Sequence, residues 1–266
     1  MPIYVDQTER AIFLHGPPQR IISLVPSQTE LLADLALSDE VVGITKFCVH
    51  PQKWFREKTR IGGTKQLNLD LIRQLQPDLI IANQEENEKE QVLALAKDFP
   101  VWVSHVDNLK HAYEMMDAIG EMVNRQKQAE LLIQTIKENF LQLRHPAAAI
   151  DCCYLIWQNP WMTIGCDTFI HHIMDIAGLK NIFADKERYP TISLAEIKER
   201  QPSVIILSSE PFPFGPKHIE ALQKDFPNTV CLLADGEMFS WYGSRLQYTP
   251  AYLQTIIDKL EKKLRR

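Results

Sequence analysis

No run of about 20 apolar residues occurs in the 266-residue chain, so nothing in it reads as a membrane-spanning helix or implies direct membrane insertion. A basic surplus is missing as well. Lys and Arg number 29 against 34 Asp and Glu, a net charge of −5, and this excludes a nucleic-acid partner, because phosphate backbones need clustered cations. The only basic run, Lys262-Lys263 to Arg265-Arg266, is a C-terminal tail. The start, Met1-Pro2-Ile3-Tyr4-Val5-Asp6, has neither the basic nor the apolar segment of a secretory signal, so the chain reads as cytosolic. The alternative is a periplasmic or extracellular chain whose leader has been removed. The five cysteines, Cys48, Cys152, Cys153, Cys166 and Cys231, form no CxxC pair, and an odd number suits free thiols in a reducing compartment. There is no GxSxG, Walker A or GxGxxG pattern; Gly62-Gly63-Thr64-Lys65 lacks the upstream glycine and the strand of a phosphate loop. No enzymatic constellation is visible, and the chain reads as a non-enzyme without a cofactor of its own.

What is present is an alternation of short apolar runs with helical patterns. Arg20-Ile21-Ile22-Ser23-Leu24-Val25 is followed by a helix from Ser27 to about Leu37 and by Val41-Val42-Gly43-Ile44, the βαβ rhythm of a parallel sheet. Ser27 or Thr29 is placed to cap that helix, with Glu30 reaching back to the Ser27 amide. Leu79 to Ala82 and Val101 to Val103 complete an N-terminal sheet. From Asn108 to Arg144 the chain reads as helix, with an interruption at Val123-Asn124-Arg125. Ala129, Leu132, Ile133, Ile136, Phe140 and Leu143 form one apolar face, and the helix stops at His145-Pro146. The expected division is an N-terminal α/β lobe over 1–122, a connecting long helix over 123–145, and a C-terminal α/β lobe over 146–266.

An internal match at an offset of 125 residues supports two lobes of one topology. Asn68 to Ile81 lies over Ser193 to Ile206: each copy reads as a polar cap, a short helix ending in Gln-Pro, and a buried strand. The same offset lays Glu85 over Glu210, just past each strand, where open α/β sheets bind ligands.

The segment from Arg20 to Leu31, then Val42-Gly43-Ile44-Thr45, then Asn68 to Ile80, resembles the class III periplasmic-binding-protein family, whose members bind vitamin B12, ferric siderophores or heme for ABC importers. Ile176-Ala177-Gly178-Leu179-Lys180-Asn181-Ile182-Phe183 and the Ser193 to Ile206 copy fit the same pattern, which is nearest to the vitamin B12-binding members. The resemblance implies two Rossmann-like α/β lobes joined by a long backbone helix, a ligand cleft between them, and a small-molecule metal chelate as partner, the metal being carried by the chelate. It implies an ABC importer permease as a second partner, docked by one surface carboxylate per lobe. Asp70 fits in the first lobe; the matching place in the second is Ala195, with Glu196 one residue away. At Thr64 and Asn83, where the B12-binding members carry aromatics, this chain is small and polar.

A cleft for a large flat ligand needs aromatic faces and a few oriented polar groups. Phe47, Cys48 and His50 follow the strand ending at Ile44, Phe47 at a place where the B12-binding members have a cleft aromatic. Trp157 and Trp161 follow the first strand of the second lobe, and Phe239, Trp241, Tyr242 and Arg245 follow its last. Glu85 and Glu86 are placed to face a cationic group. Cys48 and His50 also offer a thiolate and an imidazole to a metal. An alternative reading is therefore a cytosolic metal-handling protein or enzyme that uses Cys48 and His50 on the same scaffold.

Overall fold

Strands buried on both faces need near-continuous Val, Ile and Leu, and the chain uses its apolar runs in this way. The computed structural model describes residues 2–264, so Met1 and the Arg265-Arg266 end of the basic tail lie outside the described residues. In chain order the elements begin β1 (Ile3–Val5), β2 (Ala11–Phe13), β3 (Ile21–Ser23), α1 (Pro26–Asp34), β4 (Val41–Ile44), α2 (Gln52–Glu57) and β5 (Thr59–Arg60). They continue with α3 (Leu69–Leu75), β6 (Leu79–Asn83), α4 (Lys89–Leu95), β7 (Val101–Ser104), α5 (Leu109–Met122) and α6 (Gln126–Leu141). After these come β8 (Ile150–Leu155), α7 (Phe169–Ile176), β9 (Leu179–Asn181), α8 (Leu194–Arg200) and β10 (Val204–Ser208). The last are α9 (Pro216–Asp225), β11 (Val230–Ala234), α10 (Glu237–Ser240), a 3-10 turn at Ser244–Gln247, and α11 (Thr249–Leu264). Among the described residues no helix is long and apolar enough to cross a membrane.

Two compact units result. The first runs to Val106 and takes in Lys110–Thr135 and Tyr242–Arg245; the second holds Asp107–Leu109, Ile136–Trp241 and the chain from Leu246 onward. The division falls inside α6, between Thr135 and Ile136. The helix break expected at Val123-Asn124-Arg125 separates α5 from α6, with Asn124 at φ 56°.

The first unit's parallel sheet has the order β5-β4-β3-β6-β7, and the second's has β11-β10-β8-β9. In both, the strand after the duplicated helix sits beside the first strand, in chain order, of its parallel sheet, and the duplication keeps its register. α3 and α8, like β6 and β10, begin and end 125 residues apart. Asn68 caps α3 by accepting from the Leu71 N–H, and Ser193 caps α8 in a capping box with Glu196. Gln76 and Gln201 close these helices in the left-handed region, at φ 46° and 48°. In each copy Pro follows, where a helix cannot continue. The strands that come next, β6 and β10, are buried at every position.

α1 starts differently from the expected cap. Pro26 occupies its first turn, where a missing N–H is harmless, and Val25 precedes it with no side-chain cap. Thr29 Oγ1 instead lies 2.8 Å from Ser23 Oγ and 2.9 Å from the Val25 carbonyl oxygen.

The N-terminal hairpin of β1 and β2 is antiparallel and too short to leave a periodic signal in the sequence. Asp6 ties it to the sheet. Its carboxylate accepts from the N–H groups of Thr8, Arg10 and Val103, from the Thr8 hydroxyl and from the Arg10 guanidinium, at 2.8–3.2 Å. Burial alone would raise this carboxyl, but the Arg10 backbone N–H, the Thr8 hydroxyl and the Arg10 side chain together outweigh burial and hold it below the usual range. A carboxyl lowered on folding stabilises the fold above its unfolded pKa of about 4 and loses that contribution as pH falls through the lowered folded value. Asp6→Ala is expected to cost roughly 2–3 kcal/mol at pH 7, since it orphans three N–H groups and a cation. The difference between the denaturant melts of variant and parent should shrink as pH falls from about 4 through the lowered folded value.

Candidate functional site

In a parallel sheet the carboxyl ends of the strands gather the loops that follow them, and ligands bind there. In the first unit these loops carry a buried polar cluster. The side-chain N–H of Gln28 donates to Ser104 Oγ at 2.5 Å, and Asn83 Nδ2 donates to the same oxygen at 3.0 Å. Asn87 Oδ1 accepts from the Asn83 N–H. Asn83 Oδ1 in turn accepts from the N–H groups of Glu85 and Glu86, fixing the turn that presents these half-buried residues. Asn83 is thus a structural hub.

Cys48 follows β4 but is fully buried. Thr29 Oγ1 donates to its sulfur at 3.0 Å, and Thr45 Oγ1 lies 3.1 Å away. Burial raises the thiol, and the two threonines offset this only in part. A thiol held protonated inside the core is no ligand, because the thiolate is the form that binds metal. His50 is half-buried on the same loop, and among the described residues no group of three His, Cys, Asp or Glu is arranged to hold a metal. The expected metal pair Cys48 and His50 is corrected accordingly, and Cys48 is a packed residue of the core. Phe47, by contrast, is 51% exposed, with its ring beside Gly63.

Tyr242 and Arg245, expected among the ligand contacts, are buried in the first unit, Arg245 against α1. The Arg245 guanidinium donates to both oxygens of Glu30, at 2.7 and 2.9 Å, and both side chains are largely buried. Burial pushes the Glu30 carboxyl up, and the Arg245 hydrogen bonds and charge oppose the rise. The backbone here leaves no room for a side chain at Gly243, where a Cβ would lie 2.5 Å from the Ser27 carbonyl oxygen. Arg245 is a clamp for its own segment.

In the second unit Phe239 is likewise core, its ring 5.1 Å from Tyr154 and perpendicular to Tyr252. Trp241 is 7% exposed and donates its indole N–H to Glu210 at 3.1 Å. Glu210 also accepts from Ser240, and burial raises its carboxyl against these two bonds. Phe239, Trp241, Tyr242 and Arg245 are therefore corrected from ligand contacts to packing residues. Trp157, Trp161 and Phe212, on the loops after β8 and β10, stay partly accessible. Trp157 is 38% exposed, and its ring meets Phe212 edge-on at 5.5 Å. Phe212 contacts Phe214 at 4.6 Å, and Phe214 stacks on Trp161 at 6.1 Å. Phe212, Phe214 and His218 were not read from the sequence, although Pro211-Phe212-Pro213-Phe214 directly after an apolar strand was the available signal.

The two expected docking carboxylates differ. The Asp70 side chain is 89% exposed in the first turn of α3, with Arg73 at 3.4 Å. Glu196 is held by Lys186 at 2.9 Å and by the Ser193 cap, contacts that lower its carboxyl.

Two α/β units of like topology, each gathering its loops at the carboxyl ends of parallel strands, define the two-lobed solute-binding class. The chain belongs to the periplasmic binding protein family, whose model matches residues 21–227. An uncharacterized ABC transporter substrate-binding lipoprotein of Bacillus subtilis is 25% identical to it, over 77% of this chain and 68% of that protein. The vitamin B12-binding protein of Vibrio cholerae is 26% identical, over 72% of this chain and 71% of the relative. A crystal structure of the periplasmic vitamin B12 binding protein of Vibrio cholerae shares the fold with a TM-score of 0.77 and 23% identity, covering 93% of this chain and 99% of that one. The periplasmic heme binding protein HutB of Vibrio cholerae does so with a TM-score of 0.77 and 18% identity, covering 90% and 98%. A cytosolic address finds no support in these relatives, which are named as periplasmic proteins and a lipoprotein.

Removing one partner of a buried pair leaves an uncompensated charge, so Arg245→Ala is expected to cost roughly 3 kcal/mol in denaturant unfolding, and Glu30→Gln with Arg245→Met less than the sum of the singles. The thiols give a second expectation. Cys166 is exposed and the other four cysteines are buried, so the native protein should titrate rapidly with one equivalent of a thiol reagent and the unfolded chain with five.

Proposed function

We propose that this chain is the substrate-binding component of an ABC-type importer, and that it captures a bulky metal chelate of the corrinoid, heme or ferric siderophore kind. The single observation that carries the reading is the family match across residues 21–227. The relatives' names supply the ligand class: vitamin B12 and heme among those described above. The metal arrives inside the chelate, so the chain needs no closed metal site of its own. The competing reading, a metal-handling protein or enzyme built on Cys48 and His50, loses its thiolate to the burial of Cys48.

In this reading the protein works outside the cytoplasmic membrane and hands its cargo to a permease. Accessible side chains on strand-end loops are the contacts: Phe47, His50, Glu85 and Glu86 in the first unit, Trp157 and Trp161 in the second. Asp70, exposed on α3, is the carboxylate placed to meet a permease arginine; Glu196 would have to leave Lys186 to do the same.

Calorimetric and visible-absorption titrations with cyanocobalamin, hemin and ferrichrome test the reading. At least one should bind with a Kd in the micromolar range or tighter. Absence of binding by all three at micromolar concentration overturns the proposal.

A further inference from the structure

The aromatic group in the second unit is partly explained by its core and partly not. Phe214 is 6% exposed and belongs to the cluster built on Leu155, Ile197, Ile205 and Leu207, with Trp161 and Phe212 packed against it. That accounts for the inner rings. It does not account for the outer edge. After β8 the chain folds back through the Ile156 N–H to the Met162 carbonyl and the Met162 N–H to the Trp157 carbonyl, and this tight loop presents Trp157 with more than a third of its surface free. The Phe212 N–H donates to the Ile156 carbonyl, locking the loop after β10 to the loop after β8. Phe212 then buttresses Trp157 edge-on, at an interplanar angle of 72°, so one indole face is held in place without being covered by that contact.

His218 completes the group. Its ring is edge-on to Phe212 at 5.5 Å and to Phe214 at 5.3 Å. The Gly215 N–H donates to its Nδ1 at 2.8 Å. A backbone N–H can only donate, so Nδ1 must accept, and the proton of the neutral ring is fixed on Nε2. Among the described residues no acceptor takes up that Nε2–H. The half-buried imidazole is thus a pre-oriented donor that shares Phe212 as a ring neighbour with the supported indole, and with its proton on Nε2 it offers no lone pair there to a metal.

We infer that Trp157, Phe212 and His218 form a recognition subsite for a planar conjugated chelate, in which Trp157 stacks on the ring system and His218 Nε2–H donates to a peripheral carboxylate or carboxamide oxygen. This rests on the chelate-binding reading above and narrows it. Planarity is asked for by the indole face, and an oxygen acceptor by the fixed imidazole tautomer. The metal takes no ligand from His218.

The test uses the full chain with hemin, cyanocobalamin and ferrichrome as probes, and the variants Trp157→Ala, His218→Asn and His218→Gln. Asn keeps an acceptor for the Gly215 N–H and removes the distal donor, whereas Gln keeps a distal N–H; unchanged thermal melting establishes that each variant is folded. Hemin presents carboxylates and cyanocobalamin carboxamides, so the two arms separate the acceptor types. The wild-type protein should bind one of these planar chelates more tightly than ferrichrome. Trp157→Ala and His218→Asn should each weaken that binding about tenfold, a single stacking or hydrogen-bond loss, and His218→Gln less. The absorption bands that report axial ligation should be the same in His218→Asn as in the wild type. Unchanged affinities in Trp157→Ala and His218→Asn, or altered axial bands in His218→Asn, overturn the subsite. Binding of ferrichrome in preference to both planar chelates overturns the subsite and leaves the chelate-binding reading standing. Binding of none of the three overturns both.

Discussion

Glu30 and Arg245 are 215 residues apart in the chain and joined by two hydrogen bonds. This bidentate pair explains why Tyr242–Arg245, near the end of the sequence, belongs to the unit that the beginning of the sequence builds. A buried ion pair contributes little net stability once desolvation is counted, but its geometry allows few alternatives. The planar guanidinium must meet the planar carboxylate along one edge. That condition fixes the Tyr242–Arg245 backbone against α1, close enough that only glycine fits at position 243.

Much of the fold was legible because its signals are local. A polar cap, a short helix, a Gln-Pro stop and a buried strand recur at one offset, and each part has a mechanism acting within a few residues: Asn68 and Ser193 cap, Gln76 and Gln201 turn left-handed, and Pro77 and Pro202 forbid continuation. The break at Val123-Asn124-Arg125 was legible for the same reason. The β1–β2 hairpin was not, since two strands of three residues each carry no period, and the carboxylate that anchors them bonds to Val103, far along the chain.

The candidate site was less legible than the scaffold. The aromatic loop Phe239 to Arg245 looked like a binding surface because composition cannot say which way a ring faces. Tertiary neighbours decide that: Tyr154 and Tyr252 enclose Phe239, Glu210 claims the Trp241 indole, and Glu30 claims Arg245. Cys48 is the same case in polar form, a thiol taken up by Thr29 and Thr45. Trp157 stands the other way round: its outer edge is the part of the aromatic cluster that the core leaves uncovered, and only the placement of Phe212 reveals it.

The two units have one topology and opposite chemistry at their strand ends. Register makes Ser23, Asn83 and Ser104 the counterparts of Tyr154, Ser208 and Ala234, since Ile81 and Ile206 occupy matching places beside β3 and β8. In the first unit those positions feed a buried amide and hydroxyl network through Gln28 and Asn87. In the second, Tyr154 supplies a ring that packs on Phe239 and a hydroxyl that donates to Ser208. Each bond that a buried polar network makes restricts the backbone that carries the loops. The polar unit fixes its loops by hydrogen bonds, as Asn83 does for Glu85 and Glu86, while the aromatic unit adds ring contacts, as of Phe212 on Trp157, to the hydrogen bonds that lock its loops. A shared scaffold is thus filled in two ways, one mainly polar and one mainly aromatic, without any change in the strands that support the loops.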